Sequence, residues 1–216
     1  MPDSLSLLAY AHTPGDPLTI ALAGVIDRAQ SAGQRPLIPG LSEAEFQTLM
    51  QEVFPEAERT NHADVEIDPT LADERDDLSR LLLEHRHEVN EMTAWLAQAI
   101  ASAAMRDNHL WQAMGLPDRG VLSGLLADYF PTLAARNTGG MKWKKFFYRQ
   151  LCERAGVPIC KSPNCGDCVD YWNCFGPEGD EAGFSGDVGC PATDATFTPD
   201  QLTSAPGDQL EPPRPR

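Results

Sequence analysis

Four cysteines fall within fifteen residues, at positions 160, 165, 168 and 174. Their spacing, C-x4-C-x2-C-x5-C, constrains the chain more than any other feature. Thiols so close together along a backbone are hard to arrange as a disulfide framework. They are the donor set that an iron–sulfur cluster or a zinc ion requires. The remaining residues must then build a scaffold that delivers a metal-binding loop near the C-terminus.

Cys160, Cys165 and Cys168 reproduce the C-x4-C-x2-C opening of plant-type ferredoxin ligation. Cys174 departs from it, coming five residues later rather than on a distant element. A loop of this kind wraps one cluster locally. Pro163 and Gly166 supply the restricted and permissive backbone positions that let thiolates converge, and N–H groups in such a loop can donate to sulfur. The alternative is a four-cysteine zinc knob. Structural zinc sites usually pair two C-x2-C knuckles, and only Cys165 and Cys168 form one here, so the spacing favours iron–sulfur. Cys152 reads as a thiol on the apolar face of a helix, and Cys190 falls in a polar tail.

Seventeen basic residues stand against thirty-two acidic ones, a formal net charge of −15. Such a chain is a poor ligand for nucleic acid or an anionic membrane. No apolar run approaches eighteen residues, and Met1-Pro-Asp-Ser lacks the basic start of a secretion signal. The expectation is a cytoplasmic protein, in whose reducing surroundings clustered cysteines bind metal or do redox work. The charge is uneven. All four lysines, Lys142, Lys144, Lys145 and Lys161, lie within twenty residues, with Arg149 and Arg154 among them. This cationic segment could steer an oxyanion or an acidic partner toward the cysteines, or be merely a solvated helix face.

The pattern along the chain is helical. Residues 1–16 form a loose lead-in. Asp16 and Pro17 start a helix that Gly33 stops, and Ser42 with Glu45 forms a capping box for a second that ends before Pro55. Residues 55–70 read as irregular. From Leu71 to Met105 the apolar positions Leu78, Leu81, Leu82, His85, Val89, Met92, Leu96 and Ile100 recur at helical spacing, with a break expected near 87–90. Short helices follow around 109–114 and from Arg119 to Tyr129, the latter extending past Pro131. The last, Lys142–Ala155, is rich in aromatics and is closed by Gly156 and Pro158. No strand pattern appears. The fold expected is all-α: a helical domain over 17–158, a cysteine loop over 159–176 and a disordered acidic tail over 177–216.

Glu84-x-x-His87 has the spacing of a di-iron carboxylate helix, but no second copy exists, so a solvated face is the simpler reading. Nucleotide-binding and serine-hydrolase motifs are absent, and Cys165-x-x-Cys168 lacks the βαβ context of a thioredoxin.

Several segments together resemble one family. Residues 141–152 (MKWKKFFYRQLC), the cysteine run and Phe175-Gly176 are similar to the nitrogen-fixation protein family NifQ. Glu84-His85-Arg86, Thr93, Trp95, Leu96 and the run Asn108 to Gln112 fit the same family in the same order. The resemblance implies a carrier rather than an enzyme, one that holds molybdenum in a mixed Mo–Fe–S cluster. It implies donation of molybdenum to assembly of the nitrogenase iron–molybdenum cofactor, with the nitrogenase iron protein and the NifEN scaffold as partners. Cys160, Cys165, Cys168 and Cys174 match the family's motif. His85 and His109 are further candidates to contact molybdenum or molybdate, His109 the better placed and His85 by default a core histidine. Lys142, Lys144, Lys145 and Arg149 are candidates for steering an anion or partner. Two other readings stay open: a small iron–sulfur electron-transfer protein of the same pathway, and a zinc-stapled interaction module.

Overall fold

Asp16 caps the first helix as its place before Pro17 predicts: its carboxylate accepts from the Thr19 N–H at 3.1 Å. In the computed structural model, residues 7–57, 69–157, 165, 168, 169 and 171–178 are described, and all of them belong to one compact unit. The helix α1, Pro17–Ser31, is buried on nearly every side, from Leu18, Leu22 and Val25 to the small Ala21, Ala23 and Gly24. A helix apolar all round belongs at the centre of a bundle. The second central helix is α4, Glu91–Ala104, which buries Trp95, Leu96, Ile100 and a series of alanines and packs on α1. Around this pair lie α2 (Glu43–Val53), α3 (Pro69–Glu84), α5 (Leu110–Ala113), α6 (Arg119–Tyr129), α7 (Pro131–Ala134), α8 (Trp143–Ala155) and α9 (Tyr171–Phe175). The fold is all-α, and no strand occurs among the described residues. No described helix is long and apolar enough to cross a membrane.

The long periodic stretch is two helices. The chain leaves α3 at Glu84 and restarts at Asn90, whose side chain accepts from the Thr93 N–H at 2.8 Å as an N-cap. Val89, counted on the apolar stripe, lies in the connection and is 83% exposed. Four other details depart from the sequence reading. The helix expected to extend past Pro131 stops at Tyr129, because Phe130 leaves the helical conformation, and α7 starts afresh at Pro131. Helix α3 begins at Pro69, inside the stretch read as irregular, of which residues 58–68 lie outside the described residues. Part of the lead-in, Leu7–Tyr10, forms a 3-10 turn with Leu7 buried. The cysteine loop contains the short helix α9. Of the segment read as a disordered tail, only residues 177 and 178 are among those described.

The cysteine segment is placed by α8. This helix buries Trp143, Phe146, Phe147 and Gln150, one stripe at i, i+3, i+4 and i+7. Trp143 meets Phe146 edge-on with centroids 5.7 Å apart, and its indole donates to Ser123 Oγ on α6 at 3.0 Å. On the opposite flank, Tyr148 donates to Glu74 at 3.3 Å and Arg154 pairs with Glu84 at 2.8 Å, both on α3. Lys144 turns inward and donates to the backbone carbonyl of Arg106. Held on two sides, α8 is a rigid platform for the cysteine run attached to its C-terminal end.

Candidate metal centre

Gly156 ends α8 in the left-handed conformation at φ 67°, which glycine adopts without strain. The chain then enters the cysteine run, where Cys160 lies outside the described residues, as do Lys161, Pro163 and Gly166. Cys190 does too. Cys165, Cys168 and Cys174 are outside any disulfide and of intermediate exposure. The Cys168 N–H donates to the Cys165 carbonyl at 3.2 Å, and the Tyr171 N–H to the Cys168 carbonyl at 3.0 Å. These successive turns lead into α9, which stacks Tyr171 on Phe175 at 4.8 Å and packs Cys174 and Phe175 against the core.

The loop between α7 and α8 holds α9 in place. Asn137 braces it by accepting from the Met141 N–H at 2.9 Å and donating to the Met141 carbonyl at 2.8 Å. Arg119 donates to the carbonyls of Gly140 and Met141 and lies 3.8 Å from the carboxylate of Glu178, which follows α9 in the chain. The Lys142 N–H, one of the orphan donors at the start of α8, donates to the Cys174 carbonyl at 2.8 Å. Gly176 comes next in a space that admits no side chain, since a Cβ there would stand 2.5 Å from the Trp172 carbonyl. Trp172 itself projects outward, 72% exposed.

Among the described residues, no three His, Cys, Asp or Glu side chains gather closely enough to hold a metal ion. The donors nevertheless suit a thiolate-bound cluster in their chemistry. They are soft sulfurs, and a cation stands beside one of them: Arg149 donates from Nη1 to Cys165 Sγ at 3.6 Å. Its charge is reinforced chiefly by the hydrogen bond to Glu153, Nε to Oε1 at 2.7 Å, and further by Cys165. A cluster with four thiolate ligands is anionic, so a guanidinium here offsets charge where it would accumulate.

Beside this arginine opens a recess of about 480 Å³. The 136–141 loop, the Phe146, Arg149, Gln150 and Glu153 side of α8, and Phe175 enclose it. Across it, Arg136 donates to Gln150 Oε1 at 3.3 Å, and Gln150 donates to Glu153 Oε2 at 2.9 Å. Of the residues singled out from sequence, the recess takes Arg149. Lys145 is exposed and Lys142 partly so, whereas Lys144 is committed to Arg106. His85 bonds Thr132 through Nδ1 at 2.7 Å, and burial, then the charge of Arg136, lowers its pKa. His109 heads α5, where its N–H donates to Gln112 Oε1 at 3.2 Å. The Glu84 and His87 pair is exposed, with Glu84 bound to Arg154. Sequence reasoning misses Arg136, Gln150 and Glu153. Gln150 and Glu153 flank Arg149 at helical spacing and could have been grouped with it, but nothing in the sequence ties Arg136 to them.

The family model described as NifQ matches residues 21–176. A protein NifQ homolog of Sinorhizobium fredii is 41% identical over 152 residues, covering 69% of this chain and 66% of that protein. Protein NifQ of Azotobacter vinelandii is 39% identical, with 66% of this chain and 80% of that one aligned. For protein NifQ of Rhodobacter capsulatus the identity is 36%, over 76% and 91% of the two chains. The chain thus spans just under two thirds of the Sinorhizobium relative. No solved structure matches.

Proposed function

This chain belongs to the NifQ family, and from that premise we propose that it is a molybdenum carrier for assembly of the nitrogenase iron–molybdenum cofactor. The four thiols Cys160, Cys165, Cys168 and Cys174 are the ligands of an iron–sulfur cluster, and molybdenum is cargo carried with it. The observation that carries the reading is the C-x4-C-x2-C-x5-C run, whose last cysteine lies in α9, with the guanidinium of Arg149 on α8 at Cys165. Molybdenum reaches a cell as a hard oxyanion but enters the cofactor in a sulfide environment. A set of soft donors at the surface suits that change of surroundings. Partial exposure of Cys165, Cys168 and Cys174 leaves the load accessible to a recipient. The recipients are the nitrogenase iron protein and the NifEN scaffold, in the cytoplasm, and the chain acts as carrier rather than turnover enzyme.

Changing Cys160, Cys165 and Cys168 together to Ala tests this reading. The substituted protein, purified anaerobically from molybdate-fed cells, is expected to lose iron, sulfide and molybdenum together. Full molybdenum loading in that variant would sink the proposal. A reversible redox couple in a protein that never takes up molybdenum would point instead to electron transfer in the same pathway.

A further inference from the structure

The recess beside Cys165 has a lining that the cysteine motif does not account for. Two guanidinium groups reach it from different elements, Arg136 from the loop after α7 and Arg149 from α8. Glu153 also lines it, with both oxygens engaged, Oε1 by Arg149 and Oε2 by Gln150. Two arginines and one carboxylate leave the lining with one net positive charge. That sign is opposite to that of the molecule as a whole, whose formal net charge is −15 and whose general field repels anions. Thr138 and Gly139 also line it. Forked guanidinium donors set around a cavity are the usual means of gripping an oxyanion.

We propose that this recess binds a tetrahedral dianion of the molybdate class and holds it beside Cys165. Arg149 joins the two places, since its Nε faces Glu153 while its Nη1 donates to the cysteine sulfur. The recess only holds the anion, and no bond to molybdenum is made or broken there. Its role in loading rests on the carrier reading above, but the anion site does not.

Equilibrium dialysis of labelled molybdate against the full chain, with iron measured on the same samples, tests the assignment. Arg136→Gln is expected to weaken molybdate binding by about tenfold or more, the typical cost of a charge-assisted contact, with iron content unchanged. Glu153→Gln is expected to tighten it, because a negative charge leaves the lining. The two opposite signs separate an anion site from a mere loss of structure, and both side chains are exposed, so folding is not at risk. A protein with all four motif cysteines changed to Ala should lose iron and still bind molybdate in the recess. Binding indifferent to Arg136→Gln, or lost with the cysteines and kept without Arg136, overturns the recess. No binding to the unsubstituted chain also overturns it, as does equal displacement by equimolar sulfate. Should the chain never take up iron while its arginine-dependent molybdate binding persists, the carrier reading fails and the anion site stands.

Discussion

Gly24 shows how one residue can set the spacing of the bundle. A Cβ at this position would lie 2.2 Å from the Met114 carbonyl oxygen and 2.9 Å from the Gly115 Cα. Both are backbone atoms, so no side chain can swing away to make room. Gly24→Ala should therefore destabilise the fold by about 2 kcal/mol, within the usual range for overpacking, seen as a lower urea midpoint at unchanged slope. A midpoint equal to that of the unsubstituted protein would mean that α1 and the end of α5 are not locked together as described. The same scale separates what the sequence discloses about the site from what it hides. Cys165, Cys168, Cys174 and Arg149 are legible because spacing and local charge mark them. Arg136 is not, because it comes thirteen residues before Arg149 on another element and only the folded chain brings them to one recess.

Among the elements, those whose ends carry their own chemistry are readable. The capping box of α2 is complete: Glu45 N–H donates to Ser42 Oγ at 3.3 Å, and the Ser42 N–H donates to Glu45 Oε2 at 2.8 Å. The Ser42 hydroxyl, and after it the Ser42 N–H, hold the Glu45 carboxyl below the usual carboxylate range. Ser42→Ala should cost about 1 kcal/mol at neutral pH. A carboxyl whose pKa is depressed on folding contributes above its unfolded pKa and loses that contribution as pH falls through the folded value. The difference in stability between Ser42→Ala and the unsubstituted protein should thus narrow in acid. A gap that widens in acid would show that Glu45 does not close the box. The break before α4 is likewise legible from Asn90, and the ends of α1 and α8 from Gly33 and Gly156. By contrast, α9 falls in a stretch that reads as loop. Five residues cannot sustain a helix by propensity. It owes its conformation to the Tyr171–Phe175 stack, to Cys174 and Phe175 against the core, and to the bond from Lys142 to the Cys174 carbonyl.

At the scale of the whole molecule, a strongly anionic body carries a cationic stretch next to the cysteines. The fold subtracts from the stretch as the sequence presents it, because Lys144 donates inward to Arg106. Docking on an acidic recipient would then rely on Lys142 and Lys145. Changing both to Gln should slow molybdenum transfer at low salt, and the difference should vanish as salt is raised. A transfer rate unchanged at low salt would exclude steering by these lysines. Transfer presupposes that the chain carries molybdenum with iron and sulfide in the first place, and elemental analysis measures that directly. The protein should be purified anaerobically from molybdate-fed, iron-replete cells and assayed for iron, acid-labile sulfide, molybdenum and zinc. The carrier account predicts iron, sulfide and molybdenum in the same preparation. Zinc alone, persisting through iron–sulfur reconstitution, would contradict it.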